Sequence, residues 1–264
     1  MKALRPMLFF AAILLVIGLA CSAVSGGNSP AQPEATAIQV EPTVSNPPTT
    51  APEPTTVPPT EAATEAPTAT EAVAQAQDFY TEEFEGDYNA DDWESFTLGQ
   101  GEDTNLVIEQ EDDHLLFDLG DEDLYVYYMY TPYTYDNVSV KLNAENRGRN
   151  NNNVSLVCRM NDKGTQWYEF SVESGGVWYL YAVDGKYNII DNGGTNALKQ
   201  GKELNEYQMV CNDNEITLYI NGTKIKSIKD NTYGFNEGMV GFNISSLNVL
   251  PITVEVKSFE IAQP

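Results

Sequence analysis

The sequence predicts an all-β C-terminal domain, a two-sheet antiparallel sandwich of the jelly-roll kind, preceded by a signal peptide and a disordered Pro/Thr-rich linker. Three observations carry this: an apolar run from Met7 to Ala20 that closes on Cys21, a tract to about residue 77 without large side chains, and a dozen short alternating runs after it. The predicted organisation is a signal at 1–20, a stalk at 21–77 and a β-sandwich at 78–264.

The signal comes first. Lys2 and Arg5 precede an apolar run of about fourteen residues. That is shorter than the roughly twenty a membrane-crossing helix needs, and polar chain follows it. Ala20-Cys21 resembles the bacterial lipobox, whose cysteine receives a diacylglycerol, so Cys21 is the expected lipidation site. Gly18 and Ala20 also suit an ordinary secretory peptidase, which leaves secretion without an anchor as the alternative. Either way the domain is expected outside the cytoplasm.

In the stalk, fragments such as Glu53-Pro54-Thr55-Thr56 and Glu65-Ala66-Pro67-Thr68 recur without apolar periodicity. Prolines remove backbone donors, and few side chains are large enough to offset the entropy of ordering. Such a tract acts as a spacer. Placed after a lipidated cysteine, it would lift a domain off a membrane surface.

The domain's strands are predicted at 105–110, 114–119, 124–130, 137–143, 154–160, 166–173, 177–183, 207–211, 215–220, 223–228, 239–244 and 252–261, most bounded by Gly, Asn or Asp. Asn221-Gly222 suits a type I′ turn, which needs positive φ at both positions, and Gly175-Gly176 can do the same. No amphipathic helix competes. With Cys21 lipidated, Cys158 and Cys211 are left as an even pair in an oxidising space and are expected to bridge. The loop of about fifty residues would make such a disulfide worth on the order of 3–4 kcal/mol.

The segments Val157-Cys158-Arg159, Trp167 to Val172, Gly175-Gly176, Ile216 to Gly222, Gly238 to Phe242 and Val254 to Phe259 together resemble the concanavalin A-like lectin/glucanase superfamily. They look like its laminin-G-like and 3-keto-disaccharide-hydrolase-like domains on bacterial lipoproteins, with Phe84 and Trp93 in the place of the first strand. The resemblance implies a carbohydrate-related role and, often, a structural Ca²⁺. Glucanases of this superfamily carry Glu-x-Asp-x-x-Glu on one strand, which sets two carboxylates on one face. That spacing is absent; the nearest approach is Glu83 to Asp87. The single histidine, His114, argues against a His-rich metal site or a Ser-His-Asp triad and reads as an exposed residue at a strand start.

The net charge is −25, and nineteen acidic residues fall between Asp78 and Asp136 while no Lys or Arg occurs between Arg5 and Lys141. This balance disfavours nucleic acid and polyanionic glycans as partners and favours cations or neutral sugars. Asp112, Asp113, Asp121 and Asp123 offer oxygens at hairpin tips for a structural Ca²⁺, and Asp87, Asp91 and Asp92 offer them in the loop after the first strand; otherwise they are solvated turns and the domain has no cofactor.

Sugar rings stack their C–H faces on aromatic rings while polar side chains bond the hydroxyls. The tyrosine-rich run 124–130 and the later aromatics supply the ligand-binding candidates Tyr128, Tyr130, Trp167 and Trp178, joined by Glu169 and Arg159. If Tyr168, Phe170 and Val172 face the core, period-two alternation turns Trp167 and Glu169 outward, with Arg159 nearby. The expected function is therefore a non-catalytic recognition module for carbohydrate or another cell-envelope component. A glycoside hydrolase of the same fold, or a structural adhesion protein, is the alternative.

Overall fold

In the computed structural model, residues 79–86 and 88–264 are described. The expected signal, Cys21, the stalk and Asp87 lie outside them. The strands in chain order are β1 (Thr81–Glu82), β2 (Trp93–Gly99), β3 (Leu106–Glu111), β4 (His114–Leu119), β5 (Leu124–Tyr135), β6 (Val138–Asn146), β7 (Asn152–Met160), β8 (Gln166–Glu173), β9 (Val177–Asp184), β10 (Tyr187–Gly194), β11 (Leu204–Asn212), β12 (Glu215–Ile220), β13 (Thr223–Lys229), β14 (Gly238–Ser246) and β15 (Ile252–Ala262).

They form two antiparallel sheets. The first runs β13-β12-β11-β6-β15-β4-β3, with β1 added at the far end of β15; the second runs β10-β9-β8-β7-β14-β5-β2. Alternation along each strand sends one set of side chains between the sheets. From the first sheet come Phe117, Val140, Leu142, Met209, Leu218 and Phe259; from the second come Val126, Leu156, Phe170, Leu180, Phe242 and Ile244, all fully buried in one cluster. Cys158 on β7 bonds Cys211 on β11, so the disulfide joins the two sheets through this core.

Local chemistry explains the turns. Asn221 and Gly222 both have positive φ, 49° and 71°, as a type I′ turn requires. Gly176, at φ 88°, closes the β8–β9 hairpin, its N–H donating to the Glu173 carbonyl at 2.8 Å.

Three strands go beyond those predicted. β1 has only two residues, β2 starts at Trp93, and β10 is rich in Asn, Asp and Gly, a composition that reads as loop. Pairing with β9 overrides that composition, with a register shift between Ile189 and Asp191. Phe84 lies after β1 rather than in a strand, at φ 52°, and is fully buried. His114 does begin β4, but it is buried, not exposed. Its Nδ1 lies 2.9 Å from Asp113 and its Nε2 3.4 Å from Glu111, so acidic neighbours on the turn cover it.

Candidate functional site

The second sheet buries side chains on both faces. Away from the inter-sheet core, Tyr127, Met129, Val157, Met160, Trp167 and Val183 form a separate buried cluster, with Phe96, Tyr125, Tyr181 and Met239 packed against it. The hydroxyl of Tyr127 on β5 meets that of Tyr187 on β10. Five strand spacings separate β5 from β10, about 24 Å across a flat sheet. That is farther than two tyrosine side chains span, so the sheet curls toward this face and makes it concave.

Glu169 on β8 sits at the centre of the hollow and is 2% exposed. Its Oε2 accepts from the Tyr127 hydroxyl at 2.7 Å and from the Trp167 indole N–H at 3.0 Å. Tyr127 starts three strands away from β8, so its side chain crosses over β14 and β7 to make this bond. Gly241 lies on that path and presents no side chain. The Tyr127 ring stacks on Phe96 at 4.8 Å and meets Trp167 edge-on at 5.5 Å; Tyr181 and Tyr187 stand perpendicular at 5.4 Å. Burial pushes the Glu169 carboxyl above its ordinary value, opposed by the Trp167 and Tyr127 bonds and by the neighbouring Ser155 hydroxyl. The same burial, reinforced by the Glu169 charge, raises the Tyr127 phenol.

Between the aromatic walls the floor is small and polar. Asn243 faces Ser155, Ser155 faces Ser171, and Ser245 faces Asn153 across adjacent strands. Tyr127 and Tyr125 flank this floor on β5, and Tyr179 flanks it on β9. Asn153 Oδ1, Ser155 Oγ, Ser245 Oγ and both amide atoms of Asn243 are buried without a hydrogen bond of ordinary geometry. Each such group costs about 1–3 kcal/mol of lost solvation. Beside the floor, Phe96, Leu98, Met129, Met160 and Met239 line an open cleft of about 260 Å³ with Lys163 at its rim.

The structure divides the sequence-predicted residues. Tyr168, Phe170 and Val172 do face the inter-sheet core, and Trp167 and Glu169 stand together on the concave face. Tyr128, Tyr130 and Trp178 point between the sheets instead, because they share the parity of Val126 and Leu180. Tyr128 stacks on Trp93 at 5.1 Å, and Trp178 covers Gly193, where a Cβ would lie 3.0 Å from the indole. Arg159 is not beside Glu169. It sits in a bulge of β7 at φ 58°, and its guanidinium donates to the carbonyls of Asp136, Asp213 and Phe235, tying loops at one end of the sandwich.

Among the described residues no three carboxylate, His or Cys side chains gather as a metal site. Asp113 is held below its ordinary range by its bond to His114 and by Lys257. Asp121 accepts from Asn105 and Asp123 from the Gln100 N–H.

Tyr127, Ser155, Asn243 and Ser245 were not singled out from the sequence. Their signal was there: Asn-x-Ser recurs at 153–155 and 243–245, overlapping the ends of the predicted strands 154–160 and 239–244, with polar residues alternating with apolar ones.

No protein-family model and no curated protein matches the chain. Solved structures do match it. A protein of unknown function with a galectin-like fold from Bacillus subtilis aligns at 15% identity and TM-score 0.56, over 70% of this chain and 94% of that one. The Bacillus licheniformis β-glucanase aligns at 12% and 0.53, over 72% and 100%. A β-1,3-1,4-glucanase (lichenase) from a mouse hindgut metagenome aligns at 13% and 0.52, over 70% and 98%. The fold is a concanavalin A-like jelly roll. In this jelly roll the second sheet supplies the concave face and the first sheet the opposite one.

Proposed function

We propose that this chain is a non-catalytic recognition module that binds neutral carbohydrate on its concave face, carried outside the cell on a stalk anchored through Cys21. The observation that carries the reading is the concave-face cluster, where Trp167, Tyr127, Tyr181 and Tyr187 surround a buried Glu169 above an uncharged polar floor. The partly exposed rings of Tyr125, Tyr179, Tyr181 and Tyr187, held by the buried Trp167 and Tyr127 beneath them, give stacking area for sugar C–H faces, and the open methionine-lined cleft extends that apolar surface along the sheet. The acidic chain and the spending of Arg159 on backbone carbonyls favour uncharged ligands over polyanions. The names of the solved neighbours, which include β-glucanases, point to the same class of polymer.

A second reading, glycoside hydrolysis, is favoured by one observation: β8 turns Glu169 and Glu173 to the same face. Ser171 stands between them, where the glucanase pattern has an acid, and Glu173 falls one residue short of the closing glutamate, so the pair lacks both the helper carboxylate and the spacing. Pull-down of the full chain on insoluble neutral glucans, mannan and xylan, against pectate as a polyanion, tests the module. Retention on a neutral polymer without release of reducing sugar is expected. Release of reducing sugar that disappears in Glu169→Gln would establish the hydrolase instead, and retention on pectate alone would contradict both.

A further inference from the structure

The four side chains at the centre of the concave floor form a square. Asn-x-Ser occurs on two adjacent antiparallel strands, as Asn153–Ser155 on β7 and Asn243–Ser245 on β14, so each row sets an asparagine opposite a serine. Five of the seven buried side-chain atoms without a hydrogen-bond partner among the described residues belong to this square. Asn243 is fully buried, and Ser155 and Ser245 are 1% exposed.

A lack of neighbours does not explain the missing bonds. On the outer face of the first sheet the same residue types close cross-strand pairs: Asn143 donates to Ser258 at 3.0 Å and Gln208 to Ser139 at 2.9 Å. In the square, equivalent partners stand directly opposite without bonding one another, and the Ser155 hydroxyl instead lies close enough to Glu169 to favour its charged form. The five atoms comprise hydroxyls that both donate and accept, one complete amide and one further carbonyl oxygen. No Lys or Arg occurs in the rows that cross the square, whereas Glu169 and Glu173 flank it on β8. A carboxylated or sulfated ligand would therefore meet only repulsion there. An uncharged ring with adjacent hydroxyls matches both the donor–acceptor mixture and the absence of cationic groups.

We propose that Asn153, Ser155, Asn243 and Ser245 are a hydroxyl-reading subsite for an uncharged sugar ring, with Tyr125 and Tyr127 as its wall. The inference rests on the carbohydrate-recognition reading and adds the residues that recognise the ring. Tyr127 leans over the square and its hydroxyl meets that of Tyr187, 41% exposed on the edge strand β10, so the two rings swing aside together for a sugar ring to enter.

The test is isothermal titration of the full chain and of its Ser245→Ala and Asn243→Ala variants with tetrasaccharides of neutral β-glucan, mannan, xylan and galactan, alongside thermal melts. The expected result is binding of at least one neutral tetrasaccharide by the unmodified chain and at least tenfold weaker binding by each variant, with melting points unchanged or raised. Ser245→Ala removes a single oxygen and keeps the test valid if Asn243→Ala fails to fold. Binding within twofold of the unmodified chain in the folded variants overturns the subsite and leaves the recognition module standing. No binding of any neutral tetrasaccharide by the unmodified chain overturns both.

Discussion

The two outer faces of the sandwich solve the same problem, how to finish a half-buried sheet, in opposite ways. On the first sheet, long charged side chains project and pair: Lys141 with Glu260 and Glu206, Arg147 with Glu145 and Glu255, Lys257 with Glu255 and Asp113. Its shorter polar residues pair across strands. On the second sheet the equivalent positions hold aromatic rings, methionines, one buried carboxyl and a floor of unpaired Asn and Ser. A face built only for solubility has no use for buried, unsatisfied polar atoms, since each weakens the fold. The contrast supports placing the proposed recognition function on the concave side without appeal to any single residue.

The comparison can be broken at several strengths. The disulfide links β7, which carries part of the concave floor, to β11 of the opposite sheet, so Cys158→Ser should weaken both faces together. The closed loop, 53 residues in separation, sets the loss at about 4 kcal/mol in urea or guanidinium unfolding. Next comes Glu169→Gln. Because burial raises this carboxyl in the folded chain, the folded state holds its proton more tightly than the unfolded one. Stability therefore falls as pH rises from the ordinary carboxylate value of 4.5 through the folded value, and the penalty persists above it. The glutamine variant should melt higher than the unmodified chain at pH 7, and the gap should close below pH 4.5 in melts across a pH series. The last comparison separates the faces directly by sign. Asn143→Ala strips Ser258 of its partner and should cost about 1 kcal/mol, whereas Asn243→Ala, which removes two unsatisfied buried atoms and breaks no bond, should leave stability unchanged or raise it.

Much of the fold was legible because period-two alternation and turn chemistry are local. Twelve strand segments, the Asn221-Gly222 turn and the Cys158–Cys211 bridge follow from residue types and spacing. β10 was hidden because Asn, Asp and Gly dominate it, and only pairing with β9 makes it a strand. The site was half legible. Alternation along β8 turned Trp167 and Glu169 outward correctly, since Tyr168 and Phe170 mark the core parity. In β5 nearly every residue is apolar or aromatic, so parity cannot be read there, and the outward pair is Tyr125 and Tyr127 rather than Tyr128 and Tyr130. Arg159 eluded the reading for another reason: a bulge with positive φ breaks the alternation at that residue. The Tyr127–Glu169 bond depends on the curl of the sheet, which no strand pattern encodes.

Hydrogen–deuterium exchange of the full chain, with and without a saturating neutral oligosaccharide, tests the central claim most directly. Protection confined to peptides from β5, β7, β8 and β14 is the predicted result, with β6, β11 and β15 unchanged. Protection centred on β6, β11 and β15, or none on the concave strands at saturation, would contradict it.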